Sequence, residues 1–269
     1  MSIAAATQAR QGASPSATLL IAKTVLLELM RRKDFYVLLI LMSLYFTGAL
    51  AFSLIEEETA AAGTMLLNLS LSLASLAAHL LTLVMAARQM PDELERRTLL
   101  PLLAKPLSRR SLFLGKWLAC AGSGIVVLLA LFAIAWLLAP RLETYYGLLF
   151  FQTIVLQVCS IGLMAALALA LSLVLPRGVN LLSLSILLIF GKQLLGFIHF
   201  RAMGSEWGSA IKWLAAYCPN FSQLNLLTRY TDGIDPLGGL EFIGLLFYAA
   251  IFTFCALIAG SWLLERRAL

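Results

Sequence analysis

The chain has 269 residues, of which 61% are hydrophobic and 13% charged, with a mean hydropathy of +0.91. No soluble core of this length could hide so much apolar surface, so the composition describes a membrane protein. The net charge of +6 does not point to nucleic acid, because the basic residues stand in short segments beside apolar runs instead of along one polar face.

Residues 1–13 are small and polar, and an apolar stretch broken by Lys23 and Glu28 lacks a signal-peptide layout, so no cleavage is expected. Ser14-Pro15 reads as a helix start, with serine as the cap and proline at the first helical position. Beyond it Leu19, Ala22, Leu26, Leu29 and Met30 share one face, while Thr24, Glu28, Arg31 and Arg32 share the other. With Lys33 closing the basic cluster, segment 1–33 is expected to end in an amphipathic helix lying in the membrane interface.

Six apolar runs follow, at 35–55, 64–87, 111–139, 147–175, 179–200 and 241–264. Each is near the roughly 20 residues that cross a bilayer. The expected fold is thus an all-α membrane protein of six transmembrane helices, a single domain over 1–269. Fifteen of the twenty lysines and arginines fall on one side of this arrangement and four on the other, with Lys192 inside a span. The richer side is read as cytoplasmic, and both termini lie on it.

The outer turn carries Glu56-Glu57-Glu58, an acidic run of the kind that usually closes a solvated surface. Segment 88–116 holds seven of the twenty basic residues and the acids Asp92, Glu93 and Glu95, and is read as a cytoplasmic docking loop. In it Pro91 is expected to open a short helix with acids in the first turn, Pro101 to interrupt it, Lys105-Pro106 to turn the chain, and Ser108 to cap the next span. Leu94, Leu99, Leu100, Leu102 and Leu103 in so polar a loop want a protein groove. Segment 201–240 carries Trp207, Trp213, Tyr217 and Tyr230 and is expected to form short helices at the outer leaflet, as an exit gate or a lid.

Several polar residues lie within the spans. His79 is expected to hydrogen-bond a neighbouring helix, and Asn68, Gln152 and Gln157 to make interhelical bonds. Lys192 and Gln193 are candidates for a polar pathway, although a lysine stem can also snorkel to the interface. The four cysteines, Cys120, Cys159, Cys218 and Cys255, have no metal-ligand spacing; three fall in apolar runs as small core residues, and only Cys218 would face an oxidising side. Gly115-Lys116 is followed by Trp117 and has no glycine five residues before it, so the phosphate-binding loop pattern fails and no nucleotide site is expected on this chain.

Glu95-Arg96-Arg97-Thr98-Leu99-Leu100, followed by Lys105-Pro106-Leu107-Ser108-Arg109 and Leu114-Gly115-Lys116, resembles the run after the second span of type-2 ATP-binding-cassette exporter permeases. The basic N-terminal helix, the six-span layout and Cys218-Pro219-Asn220-Phe221 before the last span extend the resemblance over most of the chain. Arg97 stands where a glycine is common, and Leu100-Pro101 replaces a usual acidic position. Within the family the chain is most similar to short permeases without large outer domains, such as those for copper-enzyme maturation and for antibiotic export.

The resemblance implies a bacterial inner-membrane exporter subunit that pairs with a second permease copy or paralogue and with two separate ATPase subunits, which would carry the ATP and magnesium. Segment 92–106 would be the coupling helix, placing Asp92, Glu93, Glu95, Arg96, Thr98, Leu99, Leu102, Lys105 and Pro106 at the ATPase. Two other classes stand beside it. Ser123, between Gly122 and Gly124, is one residue short of a rhomboid-protease run, with His199 as a possible base, although small residues of this kind more often let helices approach. The chain could also be a scaffold that recruits a soluble partner through the loop without transporting anything.

Overall fold

The computed structural model describes residues 60–95, 109–138, 147–202, 219–232 and 234–266, with positions 19, 22–24, 26, 27, 36, 40 and 42–48. Its elements are α1 (Ala60–Glu95), α2 (Arg109–Leu138), α3 (Gly147–Leu171), α4 (Arg177–Ala202), a 3-10 turn (Phe221–Leu224), α5 (Leu227–Thr231) and α6 (Gly239–Arg266). There is no strand among the described residues. In hydrocarbon every backbone amide must find its partner within its own segment, which leaves such apolar runs no alternative to helix.

Among the described residues, four stretches are long and apolar enough to cross a bilayer: Met65–Pro91, Arg110–Trp136, Gly147–Leu171 and Gly239–Arg266. They match the expected second, third, fourth and sixth runs. The expected fifth coincides with α4, whose apolar part Arg177–Gly191 is shorter. The first, 35–55, lies mostly outside the described residues; positions 42–48 are helical, with Met42 and Phe46 buried and Tyr45 Oη 3.3 Å from Ser70 Oγ of α1. In the expected interfacial helix, Arg31, Arg32 and Lys33 lie outside the described residues, while Leu26 packs against the core and Leu19 is exposed.

The helix ends follow local chemistry. α3 ends at Leu171 and passes through a turn at 172–175, so that span is shorter than 147–175. Pro176 then precedes α4, and its carbonyl accepts the Asn180 N–H at 3.1 Å.

One boundary differs from expectation. Pro91 does not open a new helix but lies inside α1, which continues to Glu95. The missing proline N–H costs one intrahelical bond, a loss that membrane helices absorb through neighbouring packing. Asp92, Glu93 and Glu95 therefore occupy the last turn of α1, not the first turn of a separate helix.

Lipid offers no hydrophobic force to press helices together, so close packing and polar pairs set their arrangement. Gly124 of α2 shows the first: a methyl there would run into the Thr82 hydroxyl of α1 and lie 3.0 Å from Ile161 of α3. Gly122, expected to serve the same purpose, has open space around it. Trp117 of α2 spans to α3, its indole N–H donating to the Gly162 carbonyl at 2.9 Å. Cys120 is a core residue as expected, whereas Cys255 faces outwards.

Candidate functional site at the two ends of the bundle

The helices alternate in direction, so that among the described residues Arg88, Arg110, Lys116, Arg177 and Arg266 stand at one end and Arg229 at the other. At the first of these ends α1 finishes and α2 begins, and between them runs the segment read as a docking loop. Arg96, Thr98, Leu99, Leu102, Lys105 and Pro106 lie outside the described residues, as do the side chains of Asp92, Glu93 and Glu95. The helical flanks are nevertheless longer than 88–116 allows. Residues 88–91 and 110–116 are helical, and Met90, Ser111, Phe113 and Lys116 are buried.

Lys116 is the largest departure from the reading of a segment that lipid cannot hold. It is 1% exposed, with its ammonium 3.9 Å from the Met90 sulfur. The whole side chain, ammonium included, is packed between α1 and α2.

Two contacts tie this end of α2 to the end of α6. The Arg110 guanidinium donates through Nε to Glu265 Oε1 at 2.8 Å and through Nη2 to Oε2 at 3.5 Å. One turn further in, the Phe113 ring fills the space a side chain at Gly260 would need. Arg266 stacks over the Trp262 ring at 3.7 Å, an aromatic and cation pair suited to the headgroup level. Sequence reading missed the Phe113 and Gly260 pairing, since neither residue is unusual in an apolar run.

At the opposite end, residues 219–232 and 234–238 fold into the helix bundle. Phe221, Leu224 and Leu227 are buried, and Phe221 lies edge-on to His79 with ring centroids 6.4 Å apart. The Asn220 N–H donates to Tyr248 Oη of α6 at 2.8 Å. Gln152 of α3 clasps Leu237 at two points: its amide donates to the Leu237 carbonyl at 3.1 Å, and its carbonyl accepts the Leu237 N–H at 3.0 Å.

Gln157 links three elements. It accepts from Ser75 of α1 at 2.9 Å and donates to Asn225 Oδ1 at 3.2 Å, and that oxygen also accepts the Leu227 N–H at 3.1 Å. His79 joins α1 to α3. Its Nδ1 is 2.8 Å from the Ser75 carbonyl, which can only accept, so Nδ1 holds the proton. In the neutral ring Nε2 then accepts from Ser160 Oγ at 2.8 Å.

The expected interhelical ties of His79 and Gln157 hold, whereas Gln152 bonds not a helix but the non-helical Leu237 ahead of α6. Asn68 differs: it accepts from Ser72 of its own helix at 3.3 Å. As for a serine hydrolase, Ser123 directs its hydroxyl to the Cys120 carbonyl at 2.8 Å and to the Met85 sulfur at 3.3 Å. The His199 side chain lies outside the described residues. Gln193 is exposed on α4, and the Lys192 side chain lies outside the described residues.

Apolar helices able to cross a bilayer, joined by neutral polar ties and basic at one end, define a multi-pass membrane protein. A family model described as ABC-2 family transporter protein matches residues 19–264. The chain belongs to that family and is a permease of the ABC transporter class. No curated protein matches it.

Proposed function

We propose that this chain is the membrane subunit of an exporter driven by separate ATPase subunits. The family match over 19–264 carries the proposal, supported by the α1–α2 helix pair, which brackets the leucine-bearing segment 96–108. In this reading two ATPase subunits receive the loop and a second permease copy or paralogue completes the pathway. ATP and magnesium belong to the ATPases, and the chain itself performs no catalysis. The basic end of the bundle is cytoplasmic, in a bacterial inner membrane, and a solute leaves toward the end that holds residues 219–232 and 234–238.

Mechanically, closing of the ATPases on nucleotide displaces the loop and with it the inner ends of α1 and α2. The helices move as rods, because their backbone bonds are all internal. Leu99→Asp puts a charge on the expected docking face. It should lower co-purification of the cognate ATPase subunit at least tenfold while membrane insertion is unchanged. Undiminished co-purification would refute the docking assignment. A thiol introduced by Glu95→Cys should react with membrane-impermeant reagent only in inverted vesicles, and labelling from outside intact cells would reverse the orientation.

A further inference from the structure

Among the helices, α6 packs along α3 on one side, leaves its other side bare, and is fastened near both ends. Phe247, Ile251, Phe254 and Ile258 form an exposed apolar face along its middle, where lipid neither pulls nor holds. Near its inner end it meets α2 through Gly260 and Glu265, and toward its outer end Tyr248 accepts the Asn220 N–H. The helix is unbroken between these points, so Tyr248 and Gly260 are about 18 Å apart at 1.5 Å per residue.

We infer that α6 is a strut carrying displacement of the loop-bearing end of α2 to the segment around Asn220, with Phe113 and Gly260 as its inner joint and Tyr248 as its outer one. The inner joint transmits motion because it has no slack. Phe113 is fully buried against bare glycine backbone, so a shift of α2 toward α6 must move Gly260. Interior packing is dense enough to pass such a shift on without absorbing it.

The outer joint is sensitive because its tolerance is small. At 2.8 Å the Asn220 bond can lengthen by only about 0.7 Å before it ceases to count as a hydrogen bond. Helix shifts of about 1–2 Å, the common scale of switching transitions, therefore either break it or carry Asn220 along. The outer segment is also held by Gln157 and Gln152 of α3, which gives it a second anchor against which α6 can work. Phe113, Gly260 and Tyr248 are thus positioning residues for the driven motion, and the inference rests on the reading that the loop is what is driven.

The test is amide hydrogen exchange on the full chain in lipid nanodiscs. Gly260→Ala, which forces the Phe113 ring aside, should speed exchange at 220–226 at least fivefold while 65–72 of α1 stays unchanged. Tyr248→Phe should speed exchange at 220–226 by itself, and adding Gly260→Ala to it should add little, because the inner joint reaches that segment only through the outer one. Gly260→Ala with Phe113→Leu, which makes room for the methyl, should return 220–226 toward its original protection.

The strut is refuted if 220–226 is unmoved while 109–116 loosens, or if the Tyr248→Phe and Gly260→Ala effects multiply independently. Should Gly260→Ala fail to fold, Phe113→Leu alone empties the joint and must produce the same remote change. None of these measurements needs an ATPase. A chain that shows the linkage yet never binds an ATPase therefore overturns the proposed function and leaves the strut standing.

Discussion

The two ends of the bundle are fastened by different chemistry. At the basic end an exposed guanidinium and carboxylate, Arg110 and Glu265, meet beside an aromatic ring seated on glycine. At the other end, where residues 219–232 and 234–238 fold in among α1, α3 and α6, the ties are amides, hydroxyls and one imidazole: Gln152, Gln157, Ser75, Tyr248 and His79. The Arg110 and Glu265 charges stand where water reaches them, whereas Lys116 at the same end is buried beside Met90. Within the hydrocarbon depth an ionised group costs several kcal/mol, whereas a neutral amide with its partners in place costs little. The comparison teaches that the polar residues here are distributed by depth, with directional neutral bonds where the outer segment is held.

That contrast can be broken most forcefully at Gln152. Gln152→Ala strands the buried N–H and carbonyl of Leu237 together, and at about 1–3 kcal/mol for each unsatisfied group the loss should exceed that of a change at Gly122, Gly124 or Glu265. A thermal unfolding midpoint in nanodiscs would report it, and a wild-type midpoint would show that the clasp is dispensable. Gly124→Ala drives a methyl into Thr82 and should cost about 1–3 kcal/mol by overpacking, whereas Gly122→Ala, with open space around it, should leave the same midpoint in place. At the inner end, Glu265→Gln should leave the midpoint within measurement error, because its partner Arg110 is 69% exposed and such pairs contribute little. If Glu265→Gln proved as damaging as Gln152→Ala, the division by depth would be wrong.

How much of this is legible in the sequence depends on the kind of residue. Apolar length announces the spans, since the bilayer imposes a single length scale on them. Polar residues such as His79, Gln152 and Gln157 stand out as ties because hydrocarbon makes each one conspicuous, yet their partners are not apparent. The Leu237 backbone and the Asn225 side chain lie 85 and 68 residues from their glutamines. Glycine is harder still. Gly122 and Gly124 are two residues apart and look equivalent, but only Gly124 turns toward α1 and α3. Pro91 misleads for a related reason: proline favours a helix start, and the packing of α1 carries the helix through it.

The sequence by itself determined that the chain lives in a membrane, where most of its crossings lie, and which segment is too polar to be buried whole. These are properties of composition and length, read one segment at a time. Only the tertiary structure decided that Lys116 is buried beside Met90, that Phe113 rests on Gly260, and that residues 219–232 and 234–238 fold inward to meet α3 and α6. Each of those depends on which faces of two distant helices meet, and in lipid that choice is made by shape and by single hydrogen bonds, neither of which leaves a periodic mark along the chain.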